Sequence, residues 1–205
     1  MTAGRCAQPI EFETLLAYWL GELPAAAEAA VEEHYFGCAH CARRLEGLAG
    51  LGGGIRAAVR DGAVALALTP GFLQHMKDQG LRIREYPVEP GGSVNCTITA
   101  EDDAVVSRLH APLAGAKRVD ALHSLDLGGG RIERRRVEDL PFDQAAGEVL
   151  FTPSTKELRT LPAHTWRVQL LAVDESGERT LGEYAFAHTP DSPAPAPGGL
   201  ASPGT

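Results

Sequence analysis

The stretch VEEHYFGCAHCARRLE, Val31–Glu46, concentrates four side chains that can bind a metal ion: His34, Cys38, His40 and Cys41. The residues before the first of them are strong helix formers, and the residues after the last again have helical spacing. The stretch therefore lies where two helices meet. A metal site, a redox-active cysteine pair and two buried structural cysteines are the three interpretations that this composition allows.

The spacing within the stretch favours a metal site. His34 and Cys38 are four residues apart and so lie on one face of a helix, and Cys41 follows three residues later. Nitrogen and sulfur ligands at such spacings are typical of zinc. A thioredoxin-like redox pair would follow a strand in a β-α-β unit, whereas a helix precedes this pair. His40, between the two cysteines, is predicted to point outward.

A closed structural zinc site needs a fourth ligand from elsewhere in the chain. Cys6 is the only other cysteine in the helical part of the sequence, and it lies just before the first predicted helix. Glu11, Glu13 or a water molecule are the alternatives for this position. Zinc held by Cys6 and by the 34–41 segment would join the first helix to the next two, in a unit too small to have much core of its own.

The helical part of the chain is predicted to form a domain over residues 1–50. Apolar residues of its first helix recur at spacings of three and four, which places them on one face. The glycine-rich stretch GLGGGI, 50–55, is interpreted as a hinge, because it follows a helix and lacks the Gly-Lys-Ser/Thr ending of a phosphate loop. Residues 51–80 are predicted to be a helical linker, with a last helix that begins after Thr69 and ends at Gly80.

From residue 81 to 188 the apolar pattern changes to alternation, which is typical of strands. Asp174–Gly177, DESG, has the composition of a hairpin turn. Short strands at regular spacing favour a β-sandwich. The predicted fold class is therefore α+β, with a small zinc-bound helical domain followed by an immunoglobulin-like β-sandwich. Residues 189–205 are rich in Pro, Gly, Ser and Ala and are predicted to be a disordered tail. The predicted strands are LRIREYPV, SVNCTITA, AVVSRLHA, RVDALHSL, RIERRRVE, GEVLFTP, KELRTL, TWRVQLLAV and RTLGEYAFAH.

Composition limits the classes of function. The net charge of −8 argues against direct nucleic-acid binding, which usually relies on a basic surface. Four cysteines in 205 residues are too few for a disulfide-stapled scaffold, and no apolar run has the length of a signal peptide core or a membrane span. We therefore expect a cytoplasmic protein without a membrane span. No catalytic constellation stands out in the sequence, and we do not expect an enzyme.

Two further features are interpreted as structural. The five histidines that follow residue 70 have no metal-ligand spacing and are expected to be surface or hydrogen-bonded side chains. The basic cluster RIERRRVE, Arg131–Glu138, is expected to be a solvated edge strand, whose charges hinder pairing with other chains.

The segment Leu15–Leu48, LLAYWLGELPAAAEAAVEEHYFGCAHCARRLEGL, resembles the zinc-binding anti-sigma factor domain of bacteria. The matching features are LLAYWLGELP and the His-x3-Cys-x2-Cys motif that His34, Cys38 and Cys41 form. Cys6 lies 28 residues before His34, somewhat further than is usual in the family. Many members continue into a transmembrane helix, which is not predicted here.

The resemblance implies that the protein binds a sigma factor of the extracytoplasmic-function type and keeps it from RNA polymerase. Zinc bound by Cys6, His34, Cys38 and Cys41 would stabilise the binding domain. In some members thiol oxidation expels zinc and releases the sigma factor, which implies a redox response through the three cysteines. The rival interpretations are a zinc-stabilised interaction module whose β-sandwich binds another protein, and a redox enzyme that uses Cys38 and Cys41.

Overall fold

A computed structural model describes residues 6–126, 130 and 132–191 of the chain. It is a mixed α+β structure, with a helical region at the N-terminus and two β-sheets, as the alternation of periodicities predicts. The predicted disordered tail lies outside the described residues from position 192 onward. The helices are α1 (Phe12–Leu20), α2 (Ala25–Gly37), α3 (Ala39–Arg60), α4 (Pro70–Asp78) and α5 (Thr155–Leu158). The strands are β1 (Leu66–Leu68), β2 (Ile83–Val88), β3 (Ser93–Cys96), β4 (Ala104–His110), β5 (Val119–Asp126), β6 (Ile132–Val137), β7 (Glu148–Thr152), β8 (His164–Asp174) and β9 (Gly177–His188).

The first three helices are separated by short breaks that the local sequence explains. α1 ends at Gly21, whose φ of 73° lies in the left-handed region that glycine adopts without strain. Pro24 caps the start of α2 in an extended conformation. Between α2 and α3 a single residue, Cys38, is extended with φ −125° and ψ 96°, and it turns the chain from one helix into the next.

The predicted hinge at residues 50–55 does not exist as a break, because α3 runs through it without interruption. Three consecutive glycines cost an isolated helix about 1 kcal/mol each relative to alanine. Tertiary contacts offset this cost. Leu48 packs in the helical region, and Val59 packs against residues of the strands β1, β4 and β7. The ring of Trp19 lies directly over Gly52. Only a residue without a side chain leaves room for that ring.

The segment predicted as a helical linker, 51–80, contains the end of α3, the short strand β1 and then α4. α4 forms as the sequence predicts, and the Thr69 hydroxyl accepts a hydrogen bond from the Phe72 amide at 3.2 Å. β1 was not predicted. It pairs antiparallel with β7, which lies more than 80 residues later, so its strand conformation depends on a distant partner.

The remaining strands form two sheets, with the orders β1-β7-β4-β2 and β3-β9-β8-β5-β6. Two of the pairings, β2 with β4 and β3 with β9, are parallel, and the others are antiparallel. An immunoglobulin fold consists of antiparallel sheets. The immunoglobulin-like arrangement predicted from sequence is therefore not confirmed, because alternation identifies strands and carries no information about their direction or order.

Two local expectations in the strand-rich part have opposite outcomes. The hairpin turn at Asp174–Gly177 is confirmed: it joins β8 to β9, and Asp174 accepts a hydrogen bond from the Ser176 amide at 2.8 Å. The strand predicted for KELRTL is wrong, because its first three residues lie in the short helix α5 and the others follow that helix. The Ser154 hydroxyl accepts from the Glu157 amide at 3.2 Å and caps that helix, and this capping overrides the alternation.

Three apolar clusters lie one after another through the molecule. The largest fills the space between the two sheets and includes Leu109, Leu170 and Tyr184. A second cluster lies on the other face of the β1-β7-β4-β2 sheet, where α4 and the end of α3 cover it. The third joins α1, α2 and α3 and has only three buried apolar residues among the described ones, Leu15, Val31 and Leu48. The helical region thus has a small core and needs further support.

Candidate metal centre

The four residues predicted as metal ligands come together at the junction of the first three helices. Cys6 precedes α1, His34 lies in the last turn of α2, Cys38 joins α2 to α3, and Cys41 lies in the first turn of α3. One nitrogen or sulfur atom from each residue lies within 4.8 Å of the corresponding atom of every other. The Cys6 Sγ and His34 Nε2 atoms are 3.5 Å apart, although 28 residues separate them in the chain.

Cys38 has the properties of a thiolate ligand. Its sulfur lies at the N-terminus of α3. The pKa of the thiol is lowered to about 6, mainly by the backbone amide of Cys41 and then by Cys6, the amide of His40 and His34, while desolvation opposes the shift. Exposed amides at a helix N-terminus carry partial positive charge, which favours the anion. The thiolate is the form that binds metal, and a pKa of about 6 favours this form at neutral pH.

The pKa of Cys6 is shifted in the opposite direction, upward. Desolvation raises the pKa of its thiol, and the neighbouring sulfurs of Cys38 and Cys41 raise it further. Three sulfur atoms at one point cannot all carry a negative charge without a compensating cation. A divalent metal ion supplies that compensation and allows the thiols to ionise together.

The residues around the ligands hold the chain before α1 against α3. The Ile10 amide donates to the Cys41 sulfur at 3.5 Å, and the guanidinium of Arg44 donates to the Ile10 carbonyl. Cys41 itself is fully buried. Contacts of this kind orient metal ligands and shield them from solvent. Sequence reasoning missed Ile10 and Arg44, because their role depends on how residues 6–11 fold back on α3.

The donor set fits a tetrahedral metal ion with a preference for sulfur and nitrogen. Three cysteines and one histidine are a donor set found in closed structural zinc sites. Zinc–sulfur bonds of about 2.3 Å in a tetrahedron place the sulfurs about 3.8 Å apart. The ligand atoms here lie within 4.8 Å of one another, so shifts of about 1 Å or less complete the geometry. The cluster could therefore hold a metal ion.

The other side chains considered for this site lie outside the cluster. Glu11 and Glu13 are exposed, and neither they nor His40 belong to the group of ligand atoms that converge. The side chain that converges with those of His34, Cys38 and Cys41 is that of Cys6. Within the described part of the chain, this is the one group of three or more His, Cys, Asp or Glu side chains that is close enough to share a metal ion.

The histidines of the strand-rich part were expected to be surface or hydrogen-bonded side chains, and three of them depart from this in one ring nitrogen. His164 and His188 are buried, with 7% and 4% exposure, and their rings are 4.9 Å apart. The Nε2 atoms of His123, His164 and His188 are buried without a hydrogen-bond partner. The basic cluster behaves as expected, because β6 is the edge strand of its sheet and is mainly exposed.

Comparisons with known proteins give little further information. No family model matches this chain, and no curated protein is similar to it in sequence. Among solved structures, the N-terminal domain of phage TP901-1 ORF48 is similar over 52% of this chain and 98% of its own length, with 9% sequence identity and a TM-score of 0.33. At this level neither a shared fold nor a shared function follows. In the described residues, no helix combines the length and apolar character needed to cross a membrane.

Proposed function

We propose that this protein is a cytoplasmic anti-sigma factor, in which zinc bound by Cys6, His34, Cys38 and Cys41 stabilises a helical domain that binds a sigma factor. The observation that carries the proposal is the convergence of these four ligand atoms within 4.8 Å at the junction of three helices. The proposal also rests on the sequence resemblance of Leu15–Leu48 to anti-sigma domains. It makes the protein a binding protein and not an enzyme.

The small core of the helical region supports a structural role for the metal. Three buried apolar residues are few for a unit of three helices, and small domains commonly need a metal or disulfides to fold. The three cysteines that meet at the site are free in the structure, which is the form that binds zinc. Their proximity also makes them able to pair on oxidation, and this would expel the metal and loosen the binding surface.

Exposed apolar side chains on the helical region support protein binding. Phe36 at the end of α2 is 76% exposed, Leu51 on α3 is 61% exposed, and Phe12 at the start of α1 is 49% exposed. Large aromatic residues in solvent are common anchors of protein interfaces. The two other large exposed apolar residues among those described, Leu122 and Ile132, lie on the β5-β6 edge of the second sheet.

Coexpression of this chain with an extracytoplasmic-function-type sigma factor encoded in the same genome tests the proposal. The two proteins are expected to copurify as a complex, and the chain is expected to repress transcription that depends on that sigma factor. Phe36→Glu should weaken the complex at least tenfold, because it places a charge in the apolar contact. Ile132→Glu is the matched control on the β-sandwich and should leave binding unchanged.

Two outcomes would overturn the proposal. Absence of a complex and of repression would exclude sigma binding by this chain. A partner whose binding is lost with Ile132→Glu and retained with Phe36→Glu would favour the alternative, in which the β-sandwich binds the partner and the zinc domain is an adaptor.

A further inference from the structure

The space between the two sheets contains a cavity of about 590 Å³ at the end of the sandwich that α5 covers. Its wall is mainly apolar, with Val105, Phe151, Trp166 and Phe186 contributed by four different strands. A cavity of this volume is within the range that small-molecule sites occupy. It lies in the β-sandwich, away from the metal centre, and the proposed function leaves it without a role.

The polar groups in the wall have defined hydrogen-bonding states. The indole N–H of Trp166 donates to His123 Nδ1 at 3.1 Å, and the two rings stack with centroids 5.4 Å apart. Because Nδ1 is the acceptor, the proton of the neutral imidazole is on Nε2. Burial, followed by the charge of Arg135, lowers the pKa of His123 to about 4, so the ring is neutral at pH 7. His123 therefore presents a buried donor that has no acceptor.

His164 has the opposite state. Its Nδ1 lies 2.8 Å from the Pro162 carbonyl, which can only accept, so Nδ1 carries the proton and Nε2 is an acceptor. That Nε2 is also buried without a partner. An unpartnered buried polar atom costs about 1–3 kcal/mol, and such atoms in native proteins commonly await a water molecule or a ligand. The wall therefore contains an unused donor at His123 and an unused acceptor at His164, beside a third unpartnered nitrogen, Nε2 of His188.

The register of the strands separates these two lining histidines along the direction of β8. His123 is opposite Val168 on β8, four residues from His164 on the same strand. Four residues of strand span about 13 Å, which is the length of a chain of about ten carbon atoms. The charged side chains near the two ends of this span also differ in sign. Arg135 is directly opposite His123 on β6, whereas Glu157 lies on α5, next to the Leu158 backbone that interacts with His188.

We propose that this cavity binds an elongated, mainly apolar carboxylic acid of about ten carbon atoms, with its carboxylate at His123 and Arg135 and a hydrogen-bond donor such as a hydroxyl at His164. The carboxylate accepts from His123 Nε2–H and is attracted by the guanidinium of Arg135. The apolar chain contacts Trp166 and Phe186. No ion pair of Arg135 occurs with any of the described residues, so its charge is available to a ligand.

Calorimetric titration of the full chain with three probes tests the proposal: decanoate, 10-hydroxydecanoate and decan-1-ol. Decanoate should bind at one site per chain with a dissociation constant on the order of 10–100 μM, which is typical of a ligand of this size. 10-Hydroxydecanoate should bind more tightly, because its hydroxyl reaches His164. Decan-1-ol should bind at least tenfold more weakly than decanoate. The fluorescence of Trp166 should change on binding in a Trp19→Phe background, where it is the one remaining tryptophan.

The variant Arg135→Gln isolates the charged contact. Since Arg135 is exposed on an edge strand, its replacement should leave the fold intact, weaken decanoate binding about tenfold and leave decan-1-ol binding unchanged. Arg43→Gln, an exposed position on α3, is the control and should change neither. Equal binding of acid and alcohol, unchanged decanoate binding in Arg135→Gln, or absence of saturable binding would each overturn the proposal.

Discussion

At the scale of single residues, the structure places one histidine in a cluster that could hold a metal ion and another in the wall of an apolar cavity. His34 has three cysteine neighbours in the ligand cluster, whereas His123 is stacked on Trp166 and lies edge-on to Phe151, with the His123 and Phe151 centroids 5.2 Å apart. The spacing to Cys38 and Cys41 distinguishes His34 in the sequence, whereas no local pattern distinguishes His123. The surroundings of His123 depend on residues that are distant in the chain.

The low pKa of His123 makes the stability of the β-sandwich depend on pH. Its pKa is about 4 in the folded chain and about 6.5 in the unfolded chain, so above pH 6.5 neither state binds the proton and no penalty arises. As the pH falls from 6.5 toward 4, the unfolded state gains a proton that the folded state rejects. The free energy of unfolding should therefore fall by about 1–3 kcal/mol through this histidine. Denaturant titrations monitored by Trp166 fluorescence measure it.

His123→Gln removes the titrating group and keeps a side chain that can form hydrogen bonds. The loss of stability between pH 6.5 and 4 should be smaller in this variant than in the unaltered chain. An equal loss in both would show that His123 does not have the low pKa.

At the scale of elements, α3 shows how a tertiary contact changes what a local pattern predicts. Its glycine-rich middle predicts a hinge, yet the helix is continuous because Trp19 packs on Gly52. Trp19 also lies 4.2 Å from the ring of His75 on α4, measured between centroids. α3 thereby extends without a break from the apolar cluster of the helical region to the one under the β1-β7-β4-β2 sheet.

Alanine substitution at two glycines of α3 tests this description. A Cβ at Gly52 would lie 2.2 Å from the ring of Trp19, whereas a Cβ at Gly50 would meet nothing within 4 Å. Both substitutions gain the same helix propensity. Gly50→Ala should raise the free energy of unfolding by about 1 kcal/mol. Gly52→Ala should lower it by about 1–3 kcal/mol, because the ring must move. Thermal unfolding followed by circular dichroism measures both, and a stabilising Gly52→Ala would contradict the packing.

The sequence predicted most elements and three of the converging ligands for a common reason. Helices, strands such as β4 and β8, and the His34–Cys41 spacing all depend on residues close together in the chain. β1, the parallel pairing of β3 with β9, and the contacts of Ile10 depend on partners far away, which a local pattern does not encode. Cys6 was predictable only because few cysteines were available.

At the scale of the whole molecule, the helical region and the β-sandwich are stabilised by different interactions. The sandwich has a large apolar core between its sheets and a second one under α4. The helical region has a small core and a cluster of four ligands. We therefore expect metal removal to unfold the helical region and leave the sandwich folded, because each part depends on different interactions.

The metal content of the purified chain tests the central claim most directly, with His34→Ala and His40→Ala as a matched pair. We predict one zinc per chain in the unaltered protein and in His40→Ala, and loss of zinc together with helical circular dichroism in His34→Ala. Chelation of the unaltered protein should have the same effect as His34→Ala, while Trp166 remains in a folded environment. A metal-free chain with full helicity, or equal zinc content in both variants, would contradict the assignment of Cys6, His34, Cys38 and Cys41 as a structural zinc site.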